Sequence, residues 1–215
     1  MSKLLLRQSI IEHCLAMNES GLNQGTSGNI SIRDRDRMLI TPSGIPYARM
    51  QTEDIASMPL AVERGHWDGP CRPSTEWPMH FDIMMARPEV GAIVHAHSTF
   101  ATILSILRQE IPAVHYMIAA FGGASVRCAE YATFGTDELS HNALVALQDR
   151  EACLLANHGM LALGKTLEQA MWCAVELETL ARQYYHSLLL GGGHVLPDTE
   201  IAVVQERFKY YVPQD

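Results

Sequence analysis

The stretch Ala92-Ile93-Val94-His95-Ala96-His97 predicts a buried β-strand that ends in two histidines. Successive side chains of a strand point to opposite faces, so both imidazoles emerge on one face, roughly 6.5–7 Å apart at Cα. The two rings can then converge on one ion. A catalytic zinc usually takes three protein ligands and keeps one open position, so this strand end requires a third ligand from elsewhere in the chain.

His158 is the candidate for that third ligand. It follows a second apolar run, Ala152-Cys153-Leu154-Leu155-Ala156, and so occupies the same kind of position at a strand end. The alternative is that these residues are ordinary surface or core histidines. A third histidine in the same context favours a metal site over that alternative.

The length and composition of the chain predict one domain over residues 1–215, without linkers or low-complexity segments. The N-terminus shows no signal-peptide pattern, and no stretch approaches the ~18 apolar residues of a membrane span. The five cysteines are widely spaced and lie mostly in apolar runs, which is typical of reduced core thiols. We therefore expect a cytoplasmic protein.

The formal net charge of −8 argues against nucleic acid or an anionic membrane as a partner, because both favour a basic surface. Any bound phosphate must then be held by local groups. A lysine buried in an apolar strand would have a lowered pKa and could form an imine, but none of the three lysines lies in such a strand. The sequence thus points away from a Schiff base and towards a metal as electrophile.

Apolar periodicity and capping residues predict an alternation of helices and strands. The predicted helices cover residues 4–18, 74–87, 98–108, 137–147, 166–190 and 201–208. The predicted strands cover residues 30–32, 38–40, 92–97, 111–118, 124–129 and 152–156, with short strands and turns over 47–73. Neither an eightfold repeat nor a GxGxxG motif after a strand is present, so we expect an α/β fold with a central mixed or antiparallel sheet flanked by helices.

Two loops could hold an anion. The segment from Gly21 to Asn29 is rich in glycine, hydroxyl and amide groups and could form an anion-binding nest, although most such clusters are plain turns. The segment Ser74-Thr75-Glu76 opens a predicted helix, whose free N–H groups attract oxyanions. Taken alone, Glu76 would only complement the helix dipole, and the segment around Tyr116 would be a packed strand.

Seven ordered motifs together resemble the class II aldolase/adducin family, and the similarity covers nearly the whole chain. The motifs are Gly25-Thr26-Ser27-Gly28-Asn29-Ile30-Ser31, Thr41-Pro42-Ser43-Gly44, Ser74-Thr75-Glu76-Trp77, His95-Ala96-His97, His115-Tyr116-Met117-Ile118-Ala119-Ala120, Tyr131-Ala132-Thr133-Phe134-Gly135-Thr136 and Asn157-His158-Gly159. The resemblance implies a Zn2+ enzyme with a nine-stranded sheet. It also implies a homotetramer with fourfold symmetry and active sites at the subunit boundaries.

The resemblance also implies a role for each site residue. Zinc would be held by His95, His97 and His158, with Glu76 as a fourth ligand that substrate displaces and that then acts as the base. The phosphate would be bound by Gly28, Asn29, Ser43, Gly44, Ser74 and Thr75. Tyr116 from a neighbouring subunit would exchange a proton with the aldehyde oxygen, and the aldehyde pocket would be shaped by Phe134 and Tyr211.

The implied reaction is the reversible cleavage of a ketose 1-phosphate, such as L-fuculose 1-phosphate, to dihydroxyacetone phosphate and L-lactaldehyde through a zinc-stabilised enediolate. A 5-deoxy-pentulose 1-phosphate, which gives acetaldehyde, is a close second candidate. Residues 58–72 and the end of the chain match the family pattern poorly and leave the aldehyde open. The same fold could also support a sugar-phosphate epimerase or decarboxylase, or a non-catalytic module like the adducin head.

Overall fold

The computed structural model describes residues 2–61 and 64–211, with Tyr211 described by its backbone alone. Within these residues the chain forms nine strands and six α-helices. The strands are β1 (Asn29–Asp34), β2 (Arg37–Ile40), β3 (Ala56–Pro59), β4 (Ala92–Ala96), β5 (Ile111–Pro112), β6 (Ser125–Val126), β7 (Cys128–Ala129), β8 (Ala152–Leu155) and β9 (Gly159–Gly164). The helices are α1 (Lys3–Glu19), α2 (Trp77–Ala86), α3 (Thr99–Ile106), α4 (Asp137–Ala146), α5 (Leu167–Leu189) and α6 (Asp198–Tyr211).

The main sheet has seven strands in the order β3-β2-β1-β4-β9-β8-β7. Its neighbours pair antiparallel except β7 and β8, which are parallel. The strand that carries the two histidines, β4, lies in the middle, between β1 and β9. The predicted α/β fold with a mixed central sheet flanked by helices is therefore confirmed.

Apolar side chains cover both faces of this sheet, as the alternation along β4 shows. Val94 packs in a cluster with buried residues of α1, α3 and α5, whereas Ile93 packs in a second cluster with residues of α2 and α4. Since side chains two residues apart share a face, His95 and His97 point to the α2 side with Ile93. The burial of Ile93 and Val94 thus determines which helix faces the histidines.

Local signals explain why several predicted helices are confirmed. Thr136 and Thr166 cap α4 and α5 through their hydroxyls, which accept from Leu139 N and Gln169 N. The C-cap of α1 is Ser20, and the next residue, Gly21, has φ +74°, a conformation that glycine adopts at little cost. Helix α6 is longer than the predicted 201–208, since it begins at Asp198.

Three segments differ from the predictions. The predicted strand over 111–118 shrinks to β5, and a 3-10 helix, Tyr116–Phe121, follows it. The segment 124–129 contains two strands in different sheets, since β6 pairs with β5 while β7 joins the main sheet. The nine strands of the described residues therefore form a seven-stranded and a two-stranded sheet, instead of the single nine-stranded sheet that the family resemblance implied.

Strand β9 was not predicted at all. It fills the place between β4 and β8 and is buried along almost its whole length. The five cysteines are free, and three of them are buried. Among the described residues, no helix has both the length and the apolar character that crossing a membrane requires.

Candidate active site

The two strand-end histidines direct their Nε2 atoms at each other. His95 is fully buried, and its Nδ1 lies 2.9 Å from the carbonyl oxygen of Met160 on the neighbouring strand. A carbonyl can only accept, so Nδ1 carries the proton. The Nε2 atom of a neutral His95 ring therefore presents a lone pair, and it lies 3.1 Å from His97 Nε2. A hydrogen bond to a backbone carbonyl fixes a metal-binding histidine in this way.

His158 reaches the same point from the turn between β8 and β9. The turn is tight because Asn157 has φ +54°, a left-handed conformation that asparagine tolerates better than most residues. The centroid of the His158 ring lies 4.8 Å from that of His95 and 4.9 Å from that of His97. The structure thus brings together the three imidazoles that the sequence singled out.

Glu76 is the fourth member of the group. It is the N-cap residue of α2, yet its side chain makes no capping hydrogen bond. Its Oε2 lies 3.0 Å from His95 Nε2, and its Oε1 lies 3.1 Å from His158 Nε2. One ligand atom from each of Glu76, His95, His97 and His158 falls within 4.8 Å of all the others.

The charges in this group favour an ionised carboxylate and a neutral His97. Burial alone would raise the pKa of Glu76, but the charge of His95 and the nearby ring of His158 outweigh burial and hold the pKa far below its ordinary value. Burial, reinforced by the charges of His95 and His158, lowers the pKa of His97 to about 4. At neutral pH the group therefore offers an anionic oxygen and an imidazole lone pair.

The donor set fits a divalent metal ion. Burial alone would lower the pKa of His95, but the Glu76 carboxylate 3.0 Å from its Nε2 raises it, so a positive charge is favoured between these two atoms. A proton supplies that charge in the absence of metal, and a divalent cation would take its place. Glu76 Oε1 is buried and has no hydrogen-bond partner within the described residues, since its contact with His158 lacks hydrogen-bond geometry. Tetrahedral zinc, with bonds of about 2.0–2.1 Å, keeps its ligand atoms roughly 3.3 Å apart, close to the spacing observed here.

A cavity of about 330 Å³ opens in front of this group. Its lining includes all six residues predicted for the phosphate, namely Gly28, Asn29, Ser43, Gly44, Ser74 and Thr75. The backbone N–H groups of Gly44 and Thr75 donate to no acceptor in the part of the chain that the structure describes. The described lining contains neither lysine nor arginine, so the groups that could hold a phosphate are N–H groups, hydroxyls and the N-terminus of α2.

Glycine at position 28 is required by packing. A Cβ there would lie 2.8 Å from the carbonyl oxygen of His95 and 2.9 Å from Asn23 Oδ1. The buried Asn23 side chain accepts from His97 N and from Ser27 Oγ, so it links the glycine-rich loop to the histidine segment. The loop and the histidine strand are therefore held together as one unit.

Asn29 lies in the cavity lining, but its side chain is engaged below the cavity. Its Nδ2 donates to Glu76 Oε2 over 2.8 Å, and its Oδ1 lies 2.6 Å from His80 Nε2. Its contact with a phosphate remains a prediction. Sequence reasoning gave His80 no role, although its position four residues after Glu76 on a helix places both on one face.

The residues predicted for the aldehyde end are placed less completely. Phe134 lines the cavity and is 61% exposed. Tyr131, to which sequence reasoning gave no role, is half-exposed beside it in the same lining. Tyr211 belongs to the last helix, but its side chain lies outside the described residues.

Tyr116 is not part of the cavity lining formed by the described residues of its own chain. It begins the 3-10 helix, is 49% exposed, and its ring centroid lies 4.8 Å from that of His115. The prediction that it serves the site of a neighbouring subunit stays a prediction. Thr26, Ser27 and Asn157 also line the cavity without having been assigned a role.

One protein family and several known proteins are similar to this chain over most of its length. The family described as class II aldolase and adducin N-terminal domain matches residues 8–185. A 5-methylthioribulose-1-phosphate/5-deoxyribulose-1-phosphate aldolase of Rhodospirillum rubrum is 47% identical over 210 residues, which cover 98% of this chain and 94% of the relative. An L-fuculose phosphate aldolase of Escherichia coli K12 is 47% identical over 212 residues, which cover 98% and 97%.

A solved structure of an L-fuculose 1-phosphate aldolase superposes with a TM-score of 0.90 at 42% identity. The superposition covers 94% of this chain and 95% of that protein. The likeness therefore extends over nearly the whole of both chains.

Proposed function

This chain belongs to the class II aldolase and adducin family, and from that premise we propose that it is a zinc-dependent aldolase that reversibly cleaves a ketose 1-phosphate to dihydroxyacetone phosphate and a short aldehyde. The observation that carries the proposal is the group of Glu76, His95, His97 and His158 beside a cavity that is lined by all six residues predicted for the phosphate. Relatives with aldolase activity in their names match over nearly their whole length.

The proposed metal is zinc, held by the three imidazoles and, before substrate binds, by Glu76. Three neutral nitrogens and one carboxylate oxygen are donors that suit zinc in a four-coordinate site. When bound, zinc would supply Lewis acidity, which withdraws electrons from the carbonyl and hydroxyl oxygens of the substrate and makes the adjacent C–H bond more acidic.

The residues of the chain would move two protons. In the synthetic direction the Glu76 carboxylate takes a proton from the hydroxymethyl carbon of dihydroxyacetone phosphate, for which its ionised state suits it. As that carbon bonds to the aldehyde carbon, Tyr116 of a neighbouring subunit gives a proton to the aldehyde oxygen. In cleavage both transfers run in reverse, and the bond between the same two carbons breaks.

The phosphate would lie against the segment that precedes α2, beside hydroxyls and free N–H groups of the lining. The free N–H groups of Gly44 and Thr75, the hydroxyls of Ser43 and Ser74, and the positive end of the α2 dipole can together stabilise a dianion. We assign Phe134, an exposed residue of the lining, to the aldehyde end, where it would offer an apolar surface to the methyl group of the aldehyde.

Two sugars are the first candidates. L-fuculose 1-phosphate would give L-lactaldehyde, and a 5-deoxy-pentulose 1-phosphate would give acetaldehyde. The two relatives whose names refer to these sugars are equally similar to this chain, at 47% identity each, so identity does not separate them. A 5-methylthio-pentulose 1-phosphate belongs in the same comparison because the first relative's name includes it.

The test is a substrate screen on the purified protein with its metal content measured. Release of dihydroxyacetone phosphate would be followed for each ketose 1-phosphate, before and after chelation and after zinc is added back. We expect cleavage that disappears with chelation and returns with zinc. Activity that survives complete zinc removal would contradict the metal role, and isomerised or decarboxylated products would favour an epimerase or a decarboxylase. A well-folded protein that binds no zinc and cleaves no sugar would favour an adducin-head-like module.

We also propose that the single domain works as a cytoplasmic homotetramer with its active sites at subunit boundaries. The half-exposed Tyr116, which is absent from the described lining of its own cavity, supports a shared site. The five free cysteines are consistent with a reducing compartment. Light scattering would measure the mass, and mixing Tyr116→Phe subunits with His97→Ala subunits would restore activity only if sites are shared.

A further inference from the structure

A continuous chain of buried hydrogen bonds runs beneath the active site from Ser31 to Glu76. Ser31 Oγ lies 2.7 Å from His80 Nδ1, His80 Nε2 lies 2.6 Å from Asn29 Oδ1, and Asn29 Nδ2 lies 2.8 Å from Glu76 Oε2. All four residues are at most 5% exposed. His80, at 0% exposure, is a large polar residue in an otherwise apolar helix face, and the proposed reaction gives it no part.

The geometry of two secondary-structure elements produces this chain. Asn29 and Ser31 are two residues apart on β1, which spaces them by roughly 6.5–7 Å on one face. Glu76 and His80 are four residues apart at the start of α2, which spaces them by about 6 Å along the helix axis. The two spacings match, so the His80 ring fits between the side chains of Ser31 and Asn29. The Glu76 carboxylate then contacts the other side of the Asn29 amide.

Only one arrangement of protons satisfies every atom. The ionised Glu76 carboxylate can only accept, so the amide nitrogen of Asn29 must face it and the amide oxygen must face His80. His80 Nε2 must then carry a proton. Burial, with the nearby charge of His95, lowers the pKa of His80 to about 3, so the ring is neutral and its Nδ1 accepts from the Ser31 hydroxyl. Each donor in this series of hydrogen bonds therefore points towards Glu76.

We propose that His80 is a positioning residue that acts through Asn29 to hold the Glu76 carboxylate in one orientation at the metal and substrate. This inference rests on the proposed function of the site. Aligned hydrogen bonds polarise one another, so the donor strength of Asn29 depends on the proton that His80 supplies. Without His80, the Asn29 oxygen would be buried without a donor and its amide could rotate away from Glu76.

A direct test is the protonation pattern of the ring. In the full-length protein labelled with 15N-histidine and loaded with zinc, long-range 1H–15N spectra distinguish the two neutral tautomers and the cation, and the His80 signals are identified by their loss in His80→Gln. We expect the neutral tautomer protonated at Nε2. A proton on Nδ1 instead, or on both nitrogens at neutral pH, would overturn the inference. This readout does not need a substrate, so it separates failure of the inference from failure of the proposed aldolase activity.

Two substitutions test the consequence for catalysis. His80→Leu removes every hydrogen bond of the ring, whereas His80→Gln places an amide donor near the position of Nε2. Changes around metal ligands typically cost about 10–100-fold in affinity or activity. We expect His80→Leu to lose that much in kcat and in zinc affinity with KM changed less than about threefold, and His80→Gln to recover most of the loss. An increase in KM with unchanged kcat, or no recovery in His80→Gln, would contradict a positioning role.

The matched pair Ser31→Ala and Ser140→Ala separates positioning from stability. Both serines are buried and contact α2, since Ser31 Oγ lies 2.7 Å from His80 Nδ1 and Ser140 Oγ lies within hydrogen-bond distance of the Pro78 carbonyl and of the Asp82 carboxylate. Only Ser31 belongs to the chain that ends on Glu76. At similar losses of stability, we expect Ser31→Ala to lower kcat several-fold and Ser140→Ala to leave it unchanged. Equal effects of the two variants would overturn the inference, and this pair decides the question even if His80→Leu does not fold.

Discussion

Replacing Gly159 with alanine should damage the metal centre without removing any of its four donors. Gly159 opens β9 directly after His158 and lies beside the end of β4. A Cβ at this position would lie 2.6 Å from the carbonyl oxygen of Ala96 and 2.9 Å from His97 Cδ2. The first contact is about 0.4 Å inside the 3.0 Å that Cβ atoms normally keep, and its partner is a backbone atom that cannot rotate away. One of the two strands must shift, and a histidine shifts with it.

The change in the free energy of unfolding is the difference between two opposing contributions. Overpacking of this kind costs about 1–3 kcal/mol, whereas the lower entropy of the unfolded alanine chain returns about 0.4–1 kcal/mol, so the net change is destabilising. In a chain of this size each kcal/mol lowers Tm by about 2–4 °C. Metal–ligand distances tolerate only about 0.2 Å, which is half of the required shift. We therefore expect zinc affinity to fall by about 10–100-fold.

The assay is competition for zinc with a fluorescent chelator, combined with urea unfolding of the metal-free protein. Gly193→Ala is the matched control, since a Cβ there would lie no closer than 3.3 Å to its neighbours, which are side-chain atoms of Val114 and Ser187. The control should keep the zinc affinity of the parent. If Gly159→Ala also kept both its zinc affinity and its stability, the close packing of β4 on β9 would not be what positions the histidines.

Three further predictions concern single side chains. Glu76→Gln should keep part of the zinc affinity but lose at least about 100-fold in kcat, because an amide cannot accept the substrate proton, and near-normal turnover would disprove the base assignment. His97→Ala should abolish zinc binding in an equilibrium dialysis measurement, whereas the same change at the exposed His141 should not. Since the pKa of His80 falls from 6.5 to about 3 on folding, the unfolded chain binds one more proton between these values, so stability should fall as the pH is lowered through this window, by up to about 1.4 kcal/mol per pH unit from this group. Urea titrations at several pH values should show a smaller pH dependence for His80→Gln than for the parent, and equal slopes would contradict the buried neutral ring.

The helices and strands that were predicted correctly are those that the local sequence determines, through capping residues and apolar runs. Hydroxyl residues such as Thr136 cap a helix through their own neighbours, and the apolar run before His95 forms a strand because it is buried on both sides. The position of His158 could be anticipated for the same reason, since it also follows a buried strand. Family resemblance then supplied the roles that periodicity alone could not.

The parts that were missed depend on partners far along the chain. Nothing near His80 indicates that its ring lies between Asn29 and Ser31, about 50 positions away, because the match exists only when α2 packs on β1. Strand β9 was missed since its sequence, Gly-Met-Leu-Ala-Leu-Gly, lacks the β-branched residues that mark most strands. The segment around Tyr116 forms a 3-10 helix partly because the His115 side chain accepts from Met117 N, a local bond that competes with strand pairing.

The electrostatics of the site explain how a chain of net charge −8 can serve a substrate that is itself an anion. The described cavity lining carries neither lysine nor arginine, and its one carboxylate, Glu76, faces the histidine group. A divalent cation at that group would offset this negative charge, while N–H groups and the α2 dipole would attract the phosphate. In the proposed mode of binding the metal holds the ketose oxygens and the N–H groups hold the phosphate, so the substrate is fixed at two points and in one orientation. Removing the cation should therefore weaken the binding of inorganic phosphate much less than it weakens the binding of dihydroxyacetone phosphate, a difference that calorimetry on the zinc-free and zinc-loaded protein would measure.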